Sequence, residues 1–343
     1  MAAMLPTPDP LQGNQRMFDD ENFLPLEAPG TGTLHLSLAL QGGGSFGAFT
    51  WGVLDRLLEE PTIRFDIASG ASAGAVNAVL LADGLRSGGR DGARQALRQF
   101  WTRVGQVQPA GLLGLALPAA AAALRITGQM GVTLTANPTA FNPLRDLLDQ
   151  SVDFAALRAD PPIRLLIATT RVHDGRLHLF REQEITRDMV LASACLPMLN
   201  KAIEIDGEFY WDGGLSANPP LLDLARETGA RDILLVQLMA ESRAETPSRS
   251  GDIARRLAEI AFTAPLQRDI AALADLRALS AGPGFLQTSP ARKLNALRFH
   301  RIAAEDLVDD LDEQSAMDTA WPLLARLHDK GREAAARWVT SEA

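Results

Sequence analysis

The sequence predicts an α/β protein built around a mainly parallel sheet, and two observations carry that expectation. A strand, a glycine turn and a helix follow one another over 34–60, and the same unit recurs at once over 64–84. Consecutive units of this kind need helical crossovers and therefore a parallel sheet. Two later apolar runs, 163–170 and 233–238, have the composition of strands covered on both faces. The chain has 343 residues, 46% hydrophobic and 22% charged, which is enough to bury a large core and argues against disorder for its bulk.

Taken in order, residues 1–30 hold five prolines and little periodicity and are expected to form a tail. Leu34, Leu36, Leu38 and Leu40 alternate with His35, Ser37 and Ala39, the period-two pattern of a strand. Gly42-Gly43-Gly44-Ser45-Phe46-Gly47 follows directly, and 46–60 reads as a helix ended by Pro61. The second unit is a short strand over 64–69, the tight turn Gly70-Ala71-Ser72-Ala73-Gly74, and a helix from Ala75 that Gly84 is expected to stop. His173-Asp174-Gly175-Arg176 has turn chemistry between strands over 163–170 and 177–180. A helix is expected over 184–195, and a second hairpin pairs 203–205 with 208–211 around Asp206-Gly207. After the 233–238 strand, 253–279 and 316–339 read as helical, separated by a Gly/Pro/Ser loop near 280–290. With no internal repeat and no Ser/Gly linker, one elaborated domain is expected rather than two.

Charge narrows the function classes. The net charge is −9, from 33 basic and 42 acidic residues, so a surface that neutralises nucleic-acid phosphates is not expected. The acids concentrate in 1–30 and in 302–318, and the remaining chain is close to neutral. The single cysteine, Cys195, excludes a disulfide framework and a multi-cysteine zinc site, and reads as a buried structural thiol. No basic region followed by an apolar one opens the chain, so the expectation is a cytoplasmic protein whose membrane contact is peripheral.

Gly70-Ala71-Ser72-Ala73-Gly74 is a G-x-S-x-G turn where a strand meets a helix. That turn strains the serine backbone and presents its hydroxyl at a helix N-terminus, where developing negative charge is favoured. As a bare pattern it is more often a small-residue packing turn. The glycine loop one unit earlier offers converging backbone amides, which serve an oxyanion hole or a phosphate cradle. As G-x-G-x-x-G it also matches a dinucleotide fingerprint with Asp66 as the ribose acid, although Asp66 opens the second strand where that acid should close it. A Ser72, Asp212 and His300 or His328 triad is a further reading.

Three motifs in this order, Gly42 to Gly47, Gly70 to Gly74 and Asp212-Gly213-Gly214, resemble the patatin-like phospholipases. The resemblance spans about 36–222, with the remainder similar to the helical C-terminal extension of bacterial members. It implies a three-layer α/β/α sandwich around a mainly parallel sheet, with a catalytic domain over 34–225 and the strand and helices of 226–343 packed on it. It also implies hydrolysis of lipid carboxylic esters through an acyl-enzyme, without metal or other cofactor. By this resemblance Ser72 is the nucleophile and Asp212 its sole partner. The amides of Gly42, Gly43, Gly44, Ser45 and Gly47 form the oxyanion hole, Gly70 and Gly74 shape the nucleophile turn, and Gly213 and Gly214 let the Asp212 loop approach the serine. Relatives often carry a basic residue in the glycine loop, and Ser45-Phe46 stands there instead, so neutral esters are as open as phospholipids.

A carboxylate serves as general base if burial raises its pKa toward the working pH. Trp211 beside Asp212 is expected to supply low-dielectric cover, while Tyr210 packs. Between Arg103 and Arg145 the only charge is Arg125, and this Leu- and Ala-rich stretch over 104–144 reads as a lid or acyl-chain wall, or else as core. Arg94 and Arg98 share a helical face that meets either solvent or lipid headgroups. The expected partners are a lipid or ester substrate and, transiently, a membrane surface.

Overall fold

The structure, a computed structural model, describes residues 33–107, 142–197, 200–240, 246–280, 288–304 and 315–341. The tail over 1–30, most of the 104–144 stretch, and 305–314 of the acidic segment lie outside the described residues.

Strand β1 (Leu34–Leu40) leads through a 3-10 turn (Gly44–Phe46) into α1 (Gly47–Leu57), and β2 (Ile63–Gly70) leads into α2 (Ala73–Gln106). The stop expected at Gly84 falls instead at Gly88 and Gly89, the latter at φ +62°. Gly84 has a different reason: a Cβ there would stand 2.4 Å from the Ala93 Cα, so its bareness lets the second half of α2 fold back against the first. Two short helices the sequence pattern did not reveal, α3 (Pro143–Asp149) and α4 (Phe154–Ala159), are capped by the Asn142 and Asp153 side chains. Then come β3 (Arg164–Arg171), β4 (Leu177–Arg181), α5 (Arg187–Ser193), β5 (Ile203–Ile205) and β6 (Glu208–Asp212). The β5–β6 turn puts Asp206 and Gly207 both at positive φ, which is the hairpin geometry that residue pair favours. The chain continues through α6 (Leu221–Glu227), β7 (Asp232–Gln237), α7 (Ser250–Ser280), α8 (Ser289–Ala296), β8 (Arg298–Ala303) and α9 (Trp321–Ser341).

The eight strands among the described residues join one sheet in the order β5-β6-β3-β2-β1-β7-β8, with β4 also on β3. The β3–β2, β2–β1, β1–β7 and β7–β8 pairs are parallel, and the β4, β5 and β6 pairings are antiparallel. Strand alternation sorts the core into two layers. Leu36, Leu38, Leu40, Leu165, Ile167, Leu234 and Val236 pack with α1, α2 and α9, while Ala39, Ile67, Leu166, Ile233 and Leu235 pack with α6 and α7. The architecture is therefore the three-layer α/β/α sandwich, and both its strands and its covering helices draw on the C-terminal part of the chain.

Two features of this topology prepare a site. The chain builds outward from β1 through β2 to β3 and then returns to place β7 on the other flank of β1, so the strand order reverses at the carboxyl ends of β1 and β7, the position where open α/β sheets place their sites. On β3, residues 164–167 pair with β2 and residues 169–171 with β6, and both overlap the residues that pair with β4 on the opposite edge. Strands β2 and β6 thus share one edge of β3 and run toward each other. Gly70 at the end of β2 lies opposite Ile167, and Asp212 at the end of β6 lies opposite Thr169. Those levels are two residues apart, about 7 Å along the strand.

Candidate active site

Ser72 stands at the junction where these strand ends meet, as the N-terminal cap residue of α2, at φ 54° and ψ −125°. A non-glycine residue held there is strained, and the surroundings hold it in place. The Ser72 amide donates to both the carbonyl oxygen and the Oγ of Ser193, each at 3.1 Å. Its side chain makes no capping bond, which leaves the hydroxyl at the positive end of the helix. Three glycines make the turn sterically possible. A Cβ on Gly70 would come within 2.5 Å of Gly74 C, one on Gly74 within 2.1 Å of the Leu40 carbonyl oxygen, and one on Gly42 within 2.7 Å of Ser72 Cβ. The glycine loop is therefore packed directly against the serine.

Asp212 is completely buried. Its amide donates to the Cys195 carbonyl at 2.9 Å, and its Oδ1 accepts from the Gly214 amide at 2.8 Å. Its Oδ2 is buried and has no hydrogen-bond partner among the described residues. Burial pushes the carboxyl up to about 7, against which the Gly214 amide and the Ser72 hydroxyl act more weakly in the opposite direction. Ser72 is thus an electrostatic neighbour of a carboxylate that has one oxygen unassigned, although no formed bond joins them in this state.

The glycine loop divides its amides unevenly. Gly42 donates to Asn218 Oδ1 at 2.7 Å and Gly47 to the carbonyls of Gly44 and Ser45, so neither is free to meet an oxyanion and the expectation for these two is corrected. The amides of Gly43, Gly44 and Ser45 donate to no described acceptor. Gly44 is at φ +58°, and a Cβ there would stand 2.2 Å from the Ala316 carbonyl oxygen. Gly43 is extended, and a Cβ there would make only ordinary contacts of 3.4 Å with Leu238. Gln41, buried at the end of β1, accepts from the amides of Leu238 at 2.6 Å and Met239 at 2.9 Å, tying the loops after β1 and β7 together.

The glycines after Asp212 also have neighbours other than those expected. A Cβ on Gly213 would strike the Ala168 carbonyl oxygen at 2.1 Å, and one on Gly214 would strike the Phe262 ring at 2.5 Å. They admit β3 and α7 rather than the serine. Phe262, not Trp211, is the aromatic cover beside Asp212, since Trp211 leaves the opposite face of β6. Tyr210 packs as expected, against Phe180 and His178.

Asn218 and Phe262 are the residues the sequence reading missed. Asn218 is fully buried, accepts from Gly42, and donates through Nδ2 to the Phe262 carbonyl at 3.0 Å. The only hint was the Asn-Pro-Pro punctuation after the Asp-Gly-Gly motif, and nothing in the helical pattern around 262 marked it.

The rival arrangements come apart. His300 bonds Asp232 at 2.9 Å on β8, three strand spacings or about 14 Å from β2. His328 stacks on Trp51 with ring centroids 3.9 Å apart, between α1 and α9. None of the five histidines is hydrogen-bonded to Ser72 or Asp212, so the triad is not assembled. Asp66, the proposed ribose acid, is held by both oxygens on Arg164 at 2.8 Å and accepts from the Gly229 and Ala230 amides, far from the glycine loop. Arg94 is bound to Asp55 and Glu59 rather than free for headgroups. Cys195 is buried, donates to the Lys201 carbonyl, and burial pushes its thiol up to about 12. Among the described residues no group of three or more His, Cys, Asp or Glu side chains stands at metal-binding distance. No described helix is long and apolar enough to cross a membrane.

Fold and site together define an α/β protein with a strained serine at a helix start, facing the carboxyl ends of a parallel sheet. A family model described as patatin-like phospholipase matches residues 38–225. The chain belongs to the patatin-like phospholipase family, and its class of activity is lipid acyl hydrolysis. No curated protein matches it. Among solved structures, VipD from Legionella pneumophila is similar at 16% identity and a TM-score of 0.42, covering 90% of this chain and 67% of that one.

Proposed function

We propose that the protein cleaves carboxylic esters of lipids through a two-residue Ser72–Asp212 machinery. Ser72 Oγ attacks the ester carbonyl while Asp212 Oδ2 takes its proton. The amides of Gly43, Gly44 and Ser45 receive the oxyanion, and the alcohol leaves with the proton that Asp212 returns. Water, deprotonated by the same carboxylate, then attacks the acyl-enzyme, and Asp212 passes that proton to Ser72 Oγ as the acid is released. In this reading the catalytic unit spans 34–225, completed by the strands and helices that follow.

The observation that carries the reading is Asp212 itself. It is a buried carboxyl pushed up to about 7, with one oxygen unpartnered and the Ser72 hydroxyl as its polar neighbour. A group with that affinity for protons near neutral pH suits general base work, and the absence of a histidine bonded to either residue leaves it the task.

The test combines fluorophosphonate labelling with p-nitrophenyl butyrate turnover in the wild type, Ser72→Ala, Asp212→Asn and His300→Ala. Labelling should vanish in Ser72→Ala, turnover should fall by at least about a hundredfold in Asp212→Asn, and His300→Ala should retain both. Labelling that survives Ser72→Ala overturns the assignment, and loss of turnover in His300→Ala revives the triad.

A further inference from the structure

Helix α7 has two unlike sides. Its inner side carries Phe262, whose ring lies against Gly214 and whose carbonyl accepts from Asn218, so the helix forms the wall beside the Asp212 loop. Its outer side carries Ile253, Leu257 and Ile260, exposed to 42%, 63% and 43%. With Ala264 these recur at the i, i+4, i+7, i+11 spacing of one helical face. Three bulky aliphatic side chains in a row on a surface are a contact site rather than chance exposure.

The charges around this stripe identify what it meets. From Arg249 to Arg268 the exposed described charges are Arg249 and Arg268, while Arg256 and the acids Asp252 and Glu259 are half-buried, in a protein whose net charge is −9. Arg256 reaches back to Glu259 at 3.0 Å. An apolar stripe edged by arginine is the pattern of a helix that lies in the interface of an anionic bilayer, with aliphatic side chains among the acyl groups and guanidinium groups at the phosphates.

We propose that the outward face of α7 adsorbs the protein to an anionic phospholipid surface. This inference rests on the lipid-ester reading of the site. Adsorption through α7 sets the bilayer against the helix whose other side walls the Asp212 loop, which shortens the path of a lipid from the membrane to Ser72. It also accounts for a helix apolar on both sides, one facing the core and one facing lipid.

The experiment uses the full chain and vesicles of phosphatidylglycerol or phosphatidylcholine, with p-nitrophenyl butyrate as a soluble control. The wild type should sediment with phosphatidylglycerol vesicles in preference to phosphatidylcholine. Ile253→Gln/Leu257→Gln/Ile260→Gln should lower vesicle binding and vesicle-lipid hydrolysis by at least about tenfold, with soluble turnover and melting temperature unchanged. Arg249→Gln/Arg268→Gln should cost about fivefold per arginine on phosphatidylglycerol and leave phosphatidylcholine unaffected. Vesicle binding that the triple variant retains, or that the wild type lacks, overturns the proposal. A triple variant that turns a wild-type dimer into a monomer, or that melts lower, also overturns it, because the face is then covered by a second copy or by this chain. Ser72→Ala should bind vesicles as the wild type does. If the wild type binds vesicles but cleaves no ester, the catalytic reading fails and the docking surface stands; soluble turnover without vesicle binding gives the reverse.

Discussion

Replacing Asp212 with Asn should lower activity and raise stability, and both effects follow from one buried charge. The carboxyl is pushed up to about 7 from an ordinary 3.8 because it is buried. Below about pH 4 it is protonated in folded and unfolded chains alike, and burial costs nothing extra. Between 4 and 7 the folded chain holds the proton more tightly than the unfolded one, so stability falls as pH rises through that window. Above 7 the folded chain bears the whole cost, about 4 kcal/mol for a displacement of three pH units. Asn keeps an oxygen for the Gly214 amide and carries no charge, but it places an NH2 where Oδ2 has no partner, which costs about 1–3 kcal/mol. The net gain at pH 8 is therefore about 1–3 kcal/mol, or a few degrees in melting temperature. Thermal unfolding of both proteins at pH 5 and pH 8 checks this: the advantage of Asp212→Asn should be larger at pH 8. The wild-type kcat/KM for p-nitrophenyl butyrate should rise about tenfold from pH 6 to a plateau above 8. A stability gap that does not widen with pH, together with a flat rate profile from pH 5 to 9, would refute the reasoning.

Other substitutions separate neighbouring residues. Gly44→Ala meets a positive φ and the Ala316 carbonyl and should cost about 2 kcal/mol or more, with most activity lost, whereas Gly43→Ala should cost less than about 1 kcal/mol; paired melting and turnover measurements check the contrast. Asn218→Ala strands the buried Gly42 amide and removes a bond to the Phe262 carbonyl, so it should destabilise by about 1–3 kcal/mol and lower kcat more than it changes KM, as read by denaturant unfolding and steady-state kinetics. Cys195, with its thiol pushed up to about 12, should resist iodoacetamide in the folded protein and alkylate in denaturant, as followed by mass spectrometry.

Much of this was readable one segment at a time. Leu34 to Leu40 spelled a strand because every second side chain entered the larger core layer, and Asp206-Gly207 spelled a hairpin because its geometry is local. The Ser72 turn was legible for the same reason, since Gly70 and Gly74 answer to atoms only a few residues away or on the adjoining strand. Gly84 misled because its partner, Ala93, lies across a chain reversal that the pattern did not show. The glycine loop was only half legible: its residues could be named, but which amides are spent depends on Asn218, distant in sequence.

The sequence by itself therefore determined the mainly parallel sheet with helical crossovers, the serine turn and the glycine loop, because backbone geometry, strand alternation and helix periodicity are written in short stretches. The three-layer sandwich was implied by the family resemblance. Only the tertiary structure decided that β2 and β6 meet end to end on β3, that Phe262 and Asn218 close the site, and that His300 and His328 stand apart from it. It also decided the proton affinity of Asp212. That affinity depends on how much water folding removes from one carboxyl, and the water is removed by residues from β3, the 213–215 turn and α7.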